Sequence, residues 1–174
     1  QFLQALFVRF LERNPGFYAI WANFEPNAWD GKDARFVDAP GYDGTGRYAP
    51  WAYRGKTGIA AEVGFWGEKS YEEPYYANAR DTGKTTIIEP YVDNNVDKVL
   101  MTTLSVPLLE AGGAFFGVTG IDIDLMYLSD TVDSMAPNPR SWVALVSSQG
   151  TILAHSDKKL VLGSFREACR EGDA

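Results

Sequence analysis

The sequence predicts an α+β protein: an N-terminal helix followed by antiparallel sheet. Three observations predict it. Leu3, Leu6, Phe7, Phe10 and Leu11 recur at helical spacing, which makes residues 1–13 an amphipathic helix. Runs rich in aromatic and β-branched residues follow, each bounded by Gly, Pro, Asn or Asp. Most of these runs are joined by short turns rather than by helical crossovers, and short connections imply antiparallel neighbours.

Each element has a local reason. Asn14-Pro15-Gly16 stops the first helix. Phe17 to Phe24 reads as a strand, and Asp30-Gly31 marks a turn in the loop after it. The glycine-rich stretch from Pro40 to Gly46 is a second loop. Arg47 to Arg54 and Ile59 to Trp66 read as extended segments. Glu72 to Arg80 reads as a short helix, ended by Asp81-Thr82-Gly83-Lys84. Three strands come next: Thr85 to Val92, Val99 to Val106 and Phe115 to Ile123. Asn94-Asn95-Val96-Asp97 and Glu110-Ala111-Gly112-Gly113 are the turns between them. Leu125 to Met135 is a helix that Asp124 is placed to cap. Ala136-Pro137-Asn138-Pro139 is a boundary, and Trp142–Val146 and Thr151–Ala154 open a second hairpin. From Phe165 to Ala174 no closing element is read. The chain opens inside a helical pattern without Met, and the expectation is a fragment cut from a longer protein.

Composition narrows the function. Hydrophobic residues make up 45% of the 174, enough for a packed core. The net charge of −7 repels phosphate backbones, so nucleic acid is not an expected partner. A single cysteine, Cys169, and a single histidine, His155, cannot build a zinc site of ordinary composition. Both are read as structural or exposed. No stretch is long and apolar enough to span a membrane, and no signal peptide is present.

Two strands of the meander carry carboxylates where a core strand would carry Val or Ile: Asp93 after Tyr91-Val92, and Asp122 after Gly120-Ile121. With tyrosines nearby and no nucleophile or metal-ligand pattern, they suggest a pocket for a small cation. Each residue also has a plainer reading. Tyr75, Tyr76 and Tyr91 suit an amphipathic core, and Asp93 suits turn chemistry. Trp21, Trp29 and Trp51 are read as core.

Glu25-Pro26-Asn27-Ala28-Trp29-Asp30-Gly31-Lys32-Asp33, Gly46-Arg47-Tyr48-Ala49-Pro50-Trp51, Glu89-Pro90-Tyr91, Met101-Thr102-Thr103-Leu104-Ser105-Val106-Pro107 and Gly117-Val118-Thr119-Gly120-Ile121-Asp122-Ile123 occur in that order. Together they resemble double-Cache sensor domains, the extracytoplasmic ligand-binding regions of bacterial and archaeal chemoreceptors and sensor kinases. The resemblance implies a long N-terminal helix (residues 1–15 being its end) packed on PAS-like antiparallel-sheet modules. Residues 16–135 would form the membrane-distal module and 136–174 the truncated start of the proximal one. It also implies a membrane-anchored parent protein, with a homodimer through the N-terminal helix as a candidate arrangement. Neither catalysis nor a cofactor or metal is implied.

Amino-acid-binding members of that family hold the ligand carboxylate with an Arg-x-Trp-Tyr segment and its ammonium with two aspartates. Here Tyr91-Val92-Asp93 and Asp122 match the ammonium half, and Tyr76 matches the helix tyrosine. Glu73 stands where the arginine would be, and Tyr75 where the tryptophan would be. A glutamate repels a carboxylate and favours a cation. The resemblance with this departure implies a small cationic amine: a polyamine, a biogenic amine or a quaternary ammonium. Trp66, Glu73, Tyr75, Tyr76, Tyr91, Asp93 and Asp122 would line the site, with aromatic faces toward the positive charge. Arg54 and Arg80 are the other basic groups that could serve a carboxylate, and a free L-amino acid is the second reading. A carbohydrate-binding or adhesive module is a third, drawn from five Trp and nine Tyr. A hydrolase using Asp93 and Asp122 is the weakest, since no partner group supplies the acid.

Overall fold

The computed structural model of the protein describes residues 2–64, 67–94, 96–138 and 141–171. They divide into two compact units: Gln1–Ile88 with Thr103–Asp122, and Glu89–Thr102 with Ile123–Ala174.

In the first unit, helix α1 (Phe2–Arg13) turns Phe7 and Leu11 inward. It packs on strands β1 (Phe17–Phe24), β2 (Pro50–Gly55) and β3 (Gly58–Val63). Phe7 and Leu11 meet Ile20, Ala22, Phe24, Tyr48 and Ala52 in one hydrophobic cluster. Ile20, Ala22 and Phe24 take every second position of β1, so the residues between them, Trp21 and Asn23, point to the other face of the sheet. The register is antiparallel, with Trp21 opposite Trp51 and Trp51 opposite Glu62. A four-residue helix, α2 (Asp33–Phe36), lies in the first loop. Asp33 is buried there and accepts the backbone N–H of Asn27 at 2.6 Å.

The end of α1 is tied to the sheet by one side chain. The Arg54 guanidinium donates to the carbonyl oxygens of Leu11, of Asn14 at 3.0 Å and of Phe17 at 2.8 Å. The Leu11 and Asn14 carbonyls, which lack i+4 helical donors, also accept the N–H groups of Asn14 and Phe17. Arg54→Met is expected to lower stability by about 1.5–3 kcal/mol, the range for hydrogen bonds to a charged group. Urea unfolding measures it, together with faster amide exchange in α1. An unchanged midpoint would show that water replaces the guanidinium without loss.

The strand order continues from β1 to β7 (Phe115–Asp124), β6 (Val99–Leu109) and β4 (Thr86–Ile87). A 3₁₀ turn over Glu68–Tyr71 leads into helix α3 (Pro74–Thr82). Pro74 starts α3 and Gly83 ends it in the left-handed conformation, its N–H bonded to the Ala79 carbonyl.

In the second unit, β5 (Tyr91–Asp93) pairs antiparallel with the start of β6, with Tyr91 opposite Met101 and Asp93 opposite Val99. Helix α4 (Leu125–Ser134) is capped by Asp124, which accepts the Met126 N–H at 2.7 Å. It packs on a hairpin of β8 (Ala144–Val146) and β9 (Ile152–His155). His155 is buried against Trp142, and its Nδ1 accepts the Asp157 N–H at 2.8 Å. Cys169 is exposed.

Two expectations are corrected. Thr85–Val92 is not one strand: it breaks into β4 and β5 around residues 88–90, where Pro90 offers no N–H to a ladder. The segment from Phe165, where no element is read, carries a helix, α5 (Phe165–Glu171). Trp66 and Asn95 lie outside the described residues. The α+β class, with its N-terminal helix on an antiparallel sheet, is as expected.

Candidate functional site

Asp122, 7% exposed near the end of β7, is one of three buried aspartates of the first unit, with Asp33 and Asp43. Its Oδ1 accepts two hydrogen bonds from the neighbouring strands. Trp21 on β1 donates through Nε1 at 3.2 Å, and Thr103 on β6 donates through Oγ1 at 2.7 Å. Both donors are neutral, so neither brings a positive charge to the carboxylate while they fix its position.

The Trp21 indole reaches Asp122 because residue 120 is a glycine. A Cβ there would stand 2.3 Å from Cζ2 and 2.9 Å from Nε1 of the ring. Thr119 braces the same strand pair, donating through Oγ1 to the Trp21 carbonyl at 2.7 Å. Tyr75 of α3 meets the indole edge-on, with centroids 5.4 Å apart at 75°. An anionic group thus sits beside a pair of aromatic rings, the combination expected of an ammonium site.

Tyr76 follows a different course. It is fully buried, its ring edge-on to Tyr71 and Phe115. Its hydroxyl donates to Glu25 Oε1 at 2.7 Å. Burial, and next the hydrogen bond to Glu25, push this phenol far above its ordinary range, so it stays a neutral donor. Tyr71 donates to the Phe24 carbonyl at 2.9 Å and lies under the Arg47 guanidinium, 4.9 Å from its ring centroid.

Glu73 is the residue before α3, in extended conformation. Its side chain is exposed and makes no capping hydrogen bond. The structure therefore links Tyr75 to Asp122 through Trp21 and places Glu73 in water. Tyr91 and Asp93 are half-buried on β5 of the second unit. Trp66 is outside the described residues. The two arginines that could have met a carboxylate have other partners. Arg54 holds the end of α1, and Arg80 pairs with Asp81 at 2.8 Å and Glu72 at 3.6 Å while donating to the Tyr71 carbonyl.

Sequence reasoning placed Trp21 in the core and did not single out Thr103. One signal was available: a strand tryptophan has an N–H that needs an acceptor when buried. Asn23, two residues along the same face, is 2% exposed. Its Oδ1 has no hydrogen-bond partner among the described residues. It lines a recess of about 10 Å³ with Asp43, Arg47, Ser70 and Tyr71, room for one water. The described His, Cys, Asp and Glu residues form no cluster of three that could hold a metal ion. The described tryptophans form no shared platform: Trp21 and Trp51 are buried, Trp29 tilts 40° onto Phe24 and 41° onto Tyr48, and exposed Trp142 packs on His155 of the second unit.

Residues 3–130 match the methyl-accepting chemotaxis protein-like family, first PDC sensor domain. The chain belongs to this PDC sensor family. Among its relatives is the methyl-accepting chemotaxis protein TlpQ of Pseudomonas aeruginosa, 32% identical over 131 residues, which are 68% of this chain and 18% of TlpQ. PctB of the same organism is 34% identical over 94 residues, 54% of this chain and 15% of PctB. The PDC fold is shared with the extracellular domain of mmHK1S-Z3, assigned as a histidine kinase. The TM-score is 0.75 at 26% identity, covering 96% of this chain and 63% of that one. The ligand-binding domain of PctB, an amino-acid chemoreceptor in complex with L-Gln, superposes with a TM-score of 0.55 at 23% identity. That match covers 95% of this chain and 56% of that one. This PDC chain thus spans less than a fifth of the curated receptors it matches. Its relatives are sensor domains of chemoreceptors and kinases, as the double-Cache resemblance implied. No described helix is long and apolar enough to cross a membrane.

Proposed function

We propose that this PDC sensor is the extracytoplasmic ligand-binding part of a membrane-anchored signalling receptor, and that its ligand carries a protonated amine. The observation that carries the reading is Asp122: a buried carboxylate held by two uncharged donors beside the Trp21–Tyr75 ring pair. Tyr91, Asp93 and Trp66 keep the ligand-binding roles that the sequence resemblance implies, whereas Tyr76, fully buried with its hydroxyl on Glu25, is read as core. Pairing of two receptors along α1 belongs to the same proposal, with exposed Phe2 and Leu6 as its apolar contacts.

Within that reading the ligand is a cationic amine without a carboxylate. Support comes from Glu73 in place of an arginine, and from Arg54 and Arg80 being engaged elsewhere. The second reading, a free L-amino acid, fits at least as well on other grounds. PctB, a relative, is an amino-acid chemoreceptor, and exposed Glu73 is well screened by water.

Thermal shift and calorimetry with putrescine, choline, L-glutamine, L-isoleucine and glucose separate these readings. A ligand at a hundred times its Kd is expected to stabilise the protein by about 2.7 kcal/mol. Putrescine or choline acting alone supports the amine, and L-glutamine or L-isoleucine supports the amino acid. Stabilisation by glucose alone overturns both. Glu73→Arg is expected to weaken putrescine binding about tenfold if Glu73 faces the ligand charge, as one charge pair of some 1.4 kcal/mol would. Unchanged putrescine affinity in that variant removes Glu73 from the site.

A further inference from the structure

We propose that Trp21 and Thr103 are positioning residues: they aim the Asp122 carboxylate at the ligand ammonium without touching the ligand. The proposal rests on the reading that Asp122 is the ammonium partner.

The geometry is specific. Three adjacent strands, β1, β7 and β6, each contribute one group, and all three converge on a single oxygen, Asp122 Oδ1. A carboxylate held through one oxygen by donors from both sides loses its freedom to rotate about χ2. Thr103 is completely buried and Trp21 is 4% exposed, so water does not compete for these bonds. Gly120 leaves the space in which the indole lies, and Tyr75 fixes its edge. The donors are uncharged. An arginine or lysine in their place would orient the carboxylate equally well and cancel the charge that an ammonium needs. A hydroxyl and an indole N–H orient it without bringing a positive charge. The arrangement parallels the outer hydrogen bonds that orient metal-binding side chains.

The test separates hydrogen bonding from packing. Thr103→Val keeps the shape and removes the hydroxyl; Thr103→Ser keeps the hydroxyl and removes a methyl. Trp21→Phe keeps an aromatic ring and removes the N–H. Calorimetry with putrescine and L-glutamine is expected to show Kd raised about tenfold in Thr103→Val and in Trp21→Phe, the lower end of such outer-bond effects. Thr103→Ser is expected to bind within about twofold of wild type, a difference below 0.5 kcal/mol. A larger loss in Thr103→Ser than in Thr103→Val assigns Thr103 to packing and overturns the proposal, as does wild-type affinity in both Thr103→Val and Trp21→Phe. A ligand-free readout runs beside it. Both donors share one oxygen, so Thr103→Val must shift the Trp21 indole N–H resonance. A resonance that stays in place overturns the proposal even if neither probe binds. Asp122→Asn guards the premise: if it binds either probe as wild type does, the ammonium assignment fails, whatever the resonance shows.

Discussion

Asp122→Asn is expected to raise the ligand Kd by roughly 30- to 5,000-fold, the equivalent of about 2–5 kcal/mol for losing one partner of a desolvated charge pair. The substitution removes the charge and replaces one acceptor oxygen by an NH2 donor at nearly the same size. The amide oxygen of Asn can still accept from Trp21 Nε1 and Thr103 Oγ1, now 3.2 and 2.7 Å from Asp122 Oδ1. The melting temperature should therefore equal or exceed that of wild type, since a neutral amide needs no counter-charge in a buried place. Asp122→Ala is the less informative variant. It strands two buried donors at about 1–3 kcal/mol each, and lost binding would then be mixed with lost stability. The decisive pairing is a calorimetric titration and a thermal melt on the same Asp122→Asn sample. Wild-type affinity there would remove the anionic anchor and with it the reason to expect a positively charged ligand.

Gly120→Ala is expected to destabilise the protein by about 3 kcal/mol, the upper end of ordinary overpacking. The new methyl would lie 2.3 Å from Trp21 Cζ2, 2.5 Å from Cε2 and 2.9 Å from Nε1. Contacts under 3 Å require movement, and the indole has little room to move. It is nearly fully buried, bonded to Asp122 and set edge-on to Tyr75. Its backbone is bridged to β7 by Thr119. Urea unfolding measures the loss. The same substitution on a Trp21→Phe background should cost less, because the six-membered half of the indole is gone, and the difference is a coupling energy between the two positions. A Gly120→Ala protein that unfolds at the wild-type urea midpoint would show that the ring does not lie over residue 120.

Local chemistry made much of this fold legible. The apolar spacing of Leu3, Phe7, Phe10 and Leu11 gives α1, and Asn14-Pro15-Gly16 ends it near the observed Arg13. Asp124 was placed as the cap of α4, and its carboxylate bonds the Met126 N–H. The turn at Glu110–Gly113 closes β6 onto β7 through the Glu110 N–H and the Ala114 carbonyl. Long-range chemistry was less legible. Trp21 and Asp122 are 101 positions apart, and nothing in either neighbourhood announces that an indole N–H will meet that carboxylate. Glu73 stood out because it replaces an expected arginine, yet sequence position could not say that it would sit exposed at the head of α3. Tyr75 and Tyr76 are adjacent and look equivalent, but helical geometry sends one toward Trp21 and the other into the core against Glu25.

The Arg54 clamp carries a consequence for the medium that such a domain meets. Its three acceptors are main-chain oxygens, not carboxylates, and the contacts are part-buried. Dissolved ions weaken attraction between exposed opposite charges within about 10 Å at 0.1 M, but reach a sheltered cation–dipole contact far less. The joint between the helix and its sheet should hold equally firm in fresh water and in brine, so any displacement relayed through it is independent of salinity.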